Sequence, residues 1–162
     1  MPEATQLGEG FRGEEGRLGY LLTQAQHVFG TAMEAAVREA GDMSRAQFGT
    51  LSVVVREPGL SAADLARAVM LTPQAINLLV NGLEREGLVE RRPHPTHGRI
   101  LEIYPTPEGV RRLEATYPAV MALEDRIAAG LSARKLADLK KWLVDTAVEL
   151  HLSSPDGGRK AR

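Results

Sequence analysis

The chain of 162 residues contains no cysteine. That absence removes disulfides, thiol nucleophiles, cysteine zinc sites and thiol redox sensing together, and makes a cytoplasmic protein the default expectation. No apolar run approaches the roughly eighteen residues of a membrane-spanning helix, so no membrane partner is expected. Charge of one sign is not in excess either. A formal net charge of −1 gives no support to a nucleic-acid partner, and any such claim must rest on local arrangement. The opening stretch "MPEATQLGEGFRGEEG" is acidic and glycine-rich, with neither a basic nor an apolar region of the kind a signal peptide needs. It reads as a disordered lead over residues 1–16, and "SSPDGGRKAR" closes the chain as a disordered tail over 153–162. A single domain is expected between them, over 17–152.

Catalytic signatures are missing as well. No glycine-rich phosphate loop follows a strand, and nothing spaces Ser, His and Asp as a nucleophile elbow, so an enzyme is not expected. The histidines are His27, His94, His97 and His151. His94 and His97 share the turn "HPTH", but with no cysteine and no carboxylate in that turn neither a metal site nor a cofactor is expected. They read as exposed turn residues.

What is present is helical periodicity with repeated start signals. From Leu18 to Ala40 apolar residues keep helical spacing over about six turns, and Gly41 is a natural stop. Four sites then repeat one device, an N-cap candidate flanked by an apolar residue before it and another at the fourth helical position. These are Met43-Ser44…Phe48, Leu60-Ser61…Leu65, Leu71-Thr72…Ile76 and Leu131-Ser132…Leu136. Gln47 completes a capping box at the first, and Asp64 stands where the box carboxylate belongs at the second. Pro73 occupies the first helical position of the third, where a missing N–H costs nothing. Gly87 suits a left-handed cap after Glu86, with Leu88 reaching back to Leu83. "LVERR" and "RILEIYP" read as two strands joined by "PHPTHG". A further helix starts at Thr106-Pro107, and Pro118 is expected to kink or break it. The last helix, from Ser132 to Leu152, places Leu136, Leu139, Leu143 and Leu150 on one stripe.

Two short helices followed by a two-stranded hairpin make a winged helix-turn-helix, whose second helix enters the major groove. Ile76, Leu79 and Leu83 form the inward stripe of that helix, leaving Gln74, Ala75, Asn77, Leu78 and Asn81 outward. Asn and Gln pair with adenine edges through two hydrogen bonds, and the helix start at Thr72 offers N–H groups to a phosphate. The same architecture also serves as a module for protein contact without reading DNA, and spacing alone leaves both readings open.

The stretch from Gly59 to Gly109 resembles the winged-helix core of the multiple-antibiotic-resistance regulator (MarR) family. The matching residues are Leu60-Ser61, Asp64-Leu65-Ala66, Leu83-Glu84, Gly87-Leu88-Val89, Arg91, Arg99, and Thr106 with Gly109. The resemblance implies a mainly α fold with a small β-hairpin wing. Its winged core, at about 44–105, is flanked by dimerisation helices at about 17–40 and 107–152. It also implies a homodimeric repressor of a pseudo-palindromic double-stranded operator, relieved by a small and often aromatic effector. The DNA-binding candidates are Ser61, Arg67, Thr72, Gln74, Ala75, Asn77, Leu78, Asn81, Arg91, Arg92, His97 and Arg99. An effector, where one is sensed, is expected near His27, Phe48 and Tyr117. Leu18, Leu21, Leu136, Leu143 and Leu150 make the outer helices too apolar to stand alone, so an obligate two-fold dimer is expected. The sequence departs from the family where His97 replaces the wing aspartate that would steady Arg99. Between Ser61 and Pro105 five arginines (Arg67, Arg85, Arg91, Arg92, Arg99) meet five acids (Asp64, Glu84, Glu86, Glu90, Glu102). Phosphate attraction is therefore expected from Arg91, Arg92 and Arg99, opposed by Glu90 alone.

Overall fold

The computed structural model describes residues 6–96 and 100–153, with side chains to His151. These fall into two compact units divided between Leu123 and Glu124. In the first unit a 3-10 turn, Gly10–Arg12, precedes α1 (Leu18–Gly41). The lead expected to be disordered is thus partly ordered: Arg12 Nε donates to Gln24 Oε1 (3.2 Å), Gln24 Nε2 donates to the Arg12 carbonyl (3.0 Å), and Phe11 tilts against Tyr20. Helix α1 runs one residue further than expected. Gly41 is its last residue and Asp42 takes the left-handed cap (φ 49). Gly41 is needed for space, because a methyl there would press on the Thr116 hydroxyl and lie 3.0 Å from Met43 Cε.

Helix α2 (Arg45–Arg56) starts from a complete capping box, with Gln47 N–H donating to Ser44 Oγ (3.2 Å) and Ser44 N–H to Gln47 Oε1 (2.9 Å). After β1 (Leu60–Ser61) come α3 (Ala62–Ala68) and α4 (Pro73–Arg85), capped by Ser61 and Thr72. Strands β2 (Val89–Pro93) and β3 (Leu101–Pro105) pair antiparallel, with Arg91 opposite Ile103. The sheet holds three strands rather than the expected two, in the order β1-β3-β2, with Leu60 opposite Ile103. A two-residue strand has no alternation to see, and Leu60-Ser61 signals only the helix that follows.

The end of α4 is closed by two hydrogen bonds: Leu88 N–H to the Leu83 carbonyl (2.8 Å) and Gly87 N–H to Glu84 (3.0 Å), with Gly87 at φ 70. Leu83 and Leu88 are both fully buried, which is the apolar contact such a Schellman cap carries. One core joins α1 to α5 through Val37, Met43, Phe48, Leu51, Leu65, Ile76, Val80, Leu83, Leu88, Ile103 and Leu113. Each large side chain so buried contributes about 1.5–3 kcal/mol. On α4 the inward stripe is Ile76, Val80 and Leu83. Leu79, expected inward, packs against this core half-buried, and Val80, not expected there, is fully buried beside it.

Helix α5 (Pro107–Ala128) continues through Pro118, so of the kink or break expected there the break does not occur. Leu113, Thr116 and Val120 are buried on either side of the proline, and their burial offsets the lost hydrogen bond of about 3 kcal/mol. In the second unit Ser132 caps α6 (Ala133–Ser153), receiving the Lys135 N–H at 3.3 Å.

Candidate nucleic-acid interface

The turn between α3 and α4 is four residues long, Val69 to Thr72, and its second residue, Met70, holds a left-handed backbone (φ 54) and is 87% exposed. Leu71 N–H returns to the Ala66 carbonyl (3.0 Å), and this fixes where α4 begins. Thr72 then accepts the Ala75 N–H (3.2 Å) and Pro73 fills the first turn. Two faces follow from that start. Ile76, Val80 and Leu83 go into the core, while Gln74, Asn77, Leu78 and Asn81 are exposed and Ala75 is half-buried. Leu78 is 74% exposed, an unusual position for a large aliphatic side chain in the middle of a helix.

The polar members of that face are not equivalent. Gln74 and Asn77 make no side-chain hydrogen bond to any described residue, whereas Asn81 Oδ1 accepts from Arg91 Nη2 at 2.7 Å. Arg91 Nη1 pairs with Glu84, so one guanidinium on β2 holds two side chains of α4. This corrects the charge balance expected from sequence: Arg91 is opposed by Glu84 of α4, while Glu90 pairs with Arg92. Arg92 stacks over the Tyr104 ring (4.5 Å to its centroid) and donates to Glu90 (Nε, 2.9 Å). Arg67 pairs with Asp64. Arg85 donates to the Asn81 carbonyl (3.3 Å) and joins no ion pair among the described residues. The wing tip residues His97 and Arg99 lie outside the described residues.

Ser61 has two tasks. Its hydroxyl accepts the Asp64 N–H (3.2 Å) and donates to Asp64 Oδ2 (2.5 Å), while its backbone pairs with Glu102. That hydroxyl, helped by the charge of Arg67, lowers the Asp64 carboxyl below its ordinary value of 3.8. At the wing's base the Tyr104 hydroxyl donates to Glu102 (2.9 Å), and the carboxylate raises the phenol's pKa. His94 Nε2 stands 3.6 Å from the same carboxylate. No sequence signal marks the Arg91–Asn81–Glu84 cluster, because its members are brought together only by folding β2 against α4.

The expected effector residues separate. Phe48 is buried and meets Tyr117 edge to face, 5.7 Å between centroids. His27 is exposed and lines a groove of about 460 Å3 with Thr31, Glu34, Arg38 and Arg45, in which neither aromatic takes part. There the Arg45 N–H and the Arg38 guanidinium hold the Glu34 carboxyl below its ordinary value. Of the apolar residues expected at a dimer interface, Leu18, Leu143 and Leu150 are exposed, and Leu21 and Leu136 are half-buried. Among the described side chains of α6, Ala133 to His151, none is buried.

A model of the MarR family matches residues 41–100. The chain is 32% identical over 130 residues to the HTH-type transcriptional repressor Rv2887 of Mycobacterium tuberculosis, covering 80% of this chain and 93% of that protein. A solved structure of the Mycobacterium tuberculosis MarR family protein Rv2887 in complex with p-aminosalicylic acid matches at 30% identity and a TM-score of 0.64, covering 81% of this chain and 98% of that one. The Staphylococcus aureus MepR–DNA complex matches in fold, with a TM-score of 0.75 at 23% identity over 85% of this chain and 99% of that one. With the two short helices, the wing and the capped α4 all in place, the chain belongs to the MarR family of winged helix-turn-helix transcriptional regulators.

Proposed function

We propose that the protein is a homodimeric repressor that reads a pseudo-palindromic operator with α4 and grips its backbone with the wing. The observation that carries this is the outward face of α4, where Gln74 and Asn77 are exposed and make no side-chain hydrogen bond to any described residue. Exposed amides on a rigid, capped helix can turn to base edges without first breaking a bond to a described residue. Leu78 between them offers an aliphatic contact for a thymine methyl. In the first turn of α4 the Gln74 N–H is the one left for a phosphate, since Pro73 has none and Thr72 holds the Ala75 N–H. Ser61, Arg67, Ala75, Arg92, His97 and Arg99 complete the DNA-facing set.

The exposed apolar faces of α1 and α6 are covered by a second copy of the chain. Leu18, Val144 and Leu150 are each more than 60% exposed, which is a liability for a monomer in water. Dimerisation supplies the two-fold symmetry a palindrome requires. A small effector relieves repression, bound in the groove beside His27 rather than at the packed Phe48–Tyr117 pair. The p-aminosalicylic acid complex of the Rv2887 protein supports a small-molecule partner. The regulator acts in the cytoplasm, with the DNA it reads.

A mobility-shift titration with the DNA just upstream of the protein's own gene tests this reading. A discrete complex that survives excess unrelated DNA is expected, with a dimer in sedimentation. Equal affinity for every duplex would overturn sequence-specific reading and favour a role in protein contact. Arg99→Ala should weaken binding to all sequences and reduce the salt slope by about one unit per phosphate lost.

A further inference from the structure

We propose that Arg91 is a positioning residue, a strut that sets the wing against α4, and that it withdraws Asn81 from base reading. The inference rests on the DNA-binding reading above but concerns a contact within the protein. Among the arginines in ion pairs Arg91 is the most enclosed, its side chain 20% exposed against 58% for Arg92 and 61% for Arg67. Each Nη of its guanidinium is engaged, one on Glu84 and one on Asn81 Oδ1. A phosphate approaching Arg91 therefore competes with two charge-assisted hydrogen bonds that already orient the fork.

The strut has a defined mechanical place. Arg91 is the central residue of β2, opposite Ile103 of β3, so what it holds is the middle of the wing's base. Its two partners stand at positions 81 and 84, one turn apart on α4, and a planar fork spanning them fixes both the distance and the rotation of strand against helix. The wing tip reaches DNA in a register set by this contact.

Asn81 changes role for the same reason. Reading adenine through two hydrogen bonds needs the amide oxygen to accept and the amide nitrogen to donate, in one plane facing the base. With its oxygen accepting from Arg91, the Asn81 amide is oriented toward the wing, and presenting that pair to a base means giving up this bond. Asn77, one turn earlier, has no such bond to a described residue to give up. The outward face of α4 thus divides into a reading half, Gln74 to Leu78, and a bracing half, Asn81 to Glu84.

Two measurements on the full-length protein test the strut. The first needs no DNA: amide exchange of Glu90, Arg91 and Arg92 in the free dimer. Arg91→Ala and Asn81→Ala should each lower protection there, by on the order of tenfold for Arg91, since it loses hydrogen bonds to a charged group. Asn81→Asp keeps the accepting oxygen and should retain protection. Unchanged exchange in Arg91→Ala would overturn the strut, whatever the protein binds.

The second is a panel of single base-pair changes in the operator, read by titration. Asn81→Ala and Asn81→Asp should leave the order of preference among the panel intact, while Asn77→Ala flattens it at one position. The double variant Arg91→Ala/Asn81→Ala should bind no more weakly than Arg91→Ala, because both act through one contact. Loss of preference at a particular base pair in Asn81→Asp would overturn the withdrawal of Asn81, as would additive losses in the double variant. If wild-type protein binds no operator, the DNA-binding reading fails while the exchange result still decides the strut.

Discussion

Gly109→Ala sets two effects of opposite sign against each other. Gly109 lies in the first turn of α5, and on helix propensity alone alanine there should stabilise by about 1 kcal/mol. The structure says otherwise. A methyl at Gly109 would sit 2.9 Å from the Leu88 carbonyl carbon and closer still to its oxygen, and all three nearest atoms are backbone. Backbone on both sides cannot swing away as a side chain could. The start of α5 must retreat from Leu88, and three hydrogen bonds hold it there: Thr106 N–H to the Leu88 carbonyl (3.1 Å), Thr106 Oγ1 to the Gly87 carbonyl (2.6 Å) and Gly109 N–H to Thr106 Oγ1 (3.0 Å). Losing two of them costs about 2 kcal/mol, and the overpacking itself about 1–3. Against a gain of about 1, the net is a loss of about 2–4 kcal/mol. Urea unfolding followed by circular dichroism at fixed protein concentration reads this directly. With a slope of about 2 kcal/mol/M the midpoint should fall by about 1–2 M. A midpoint equal to wild type or higher would refute the steric argument and leave propensity as the controlling term. Thr106→Ala should reproduce part of the loss, since it removes two of the three bonds without any clash.

Met70→Gly should stabilise by about 1 kcal/mol in the same assay, because it relieves a left-handed non-glycine residue whose side chain is nearly all in water; a lower midpoint would count against strain at that turn. The Asp64 carboxyl titrates lower in the folded chain than its ordinary value, so its contribution is present above about pH 4 and is lost as pH falls through the folded value. Asp64→Asn should therefore lower stability at pH 7 and flatten its acid dependence, and parallel pH profiles for the two proteins would refute the assignment. Replacing operator thymines one at a time by deoxyuridine should weaken binding at the base pair under Leu78 in wild type but not in Leu78→Ala. No thymine effect anywhere would remove Leu78 from the reading face.

Capping chemistry is the part of this fold most legible in the sequence. Ser44, Ser61, Thr72 and Ser132 all cap helices, and Gly87 takes the left-handed conformation, because each depends on residues three to six apart. The misses are non-local. Strand β1 exists only because β3 runs beside it, and Pro118 is tolerated only because the residues flanking it are buried. On α4 the sequence finds the inward side at Ile76, Leu79 and Leu83, but it misses Val80, because Leu79 and Val80 are adjacent aliphatics and periodicity alone does not say that both turn inward. The candidate interface is legible in its residue types and not in its pairings. Arg91 reads as a free cation until Glu84 and Asn81 are placed beside it.

Ser61 belongs to the sheet by its backbone and to α3 by its hydroxyl. The order of synthesis gives that double membership a consequence. Helices α2, α3 and α4 leave the ribosome before β3 exists, and β1 has nothing to pair with until Leu101–Pro105 follows. The helical pair can form early from local contacts, but the sheet must close late and across a long stretch of chain. Until then Leu60 and the inner side of α3 stay uncovered, and that interval is when the nascent chain is most open to proteolysis and misassociation. A ribosome stalled within the wing should therefore display a helix-turn-helix that is formed but not yet sealed.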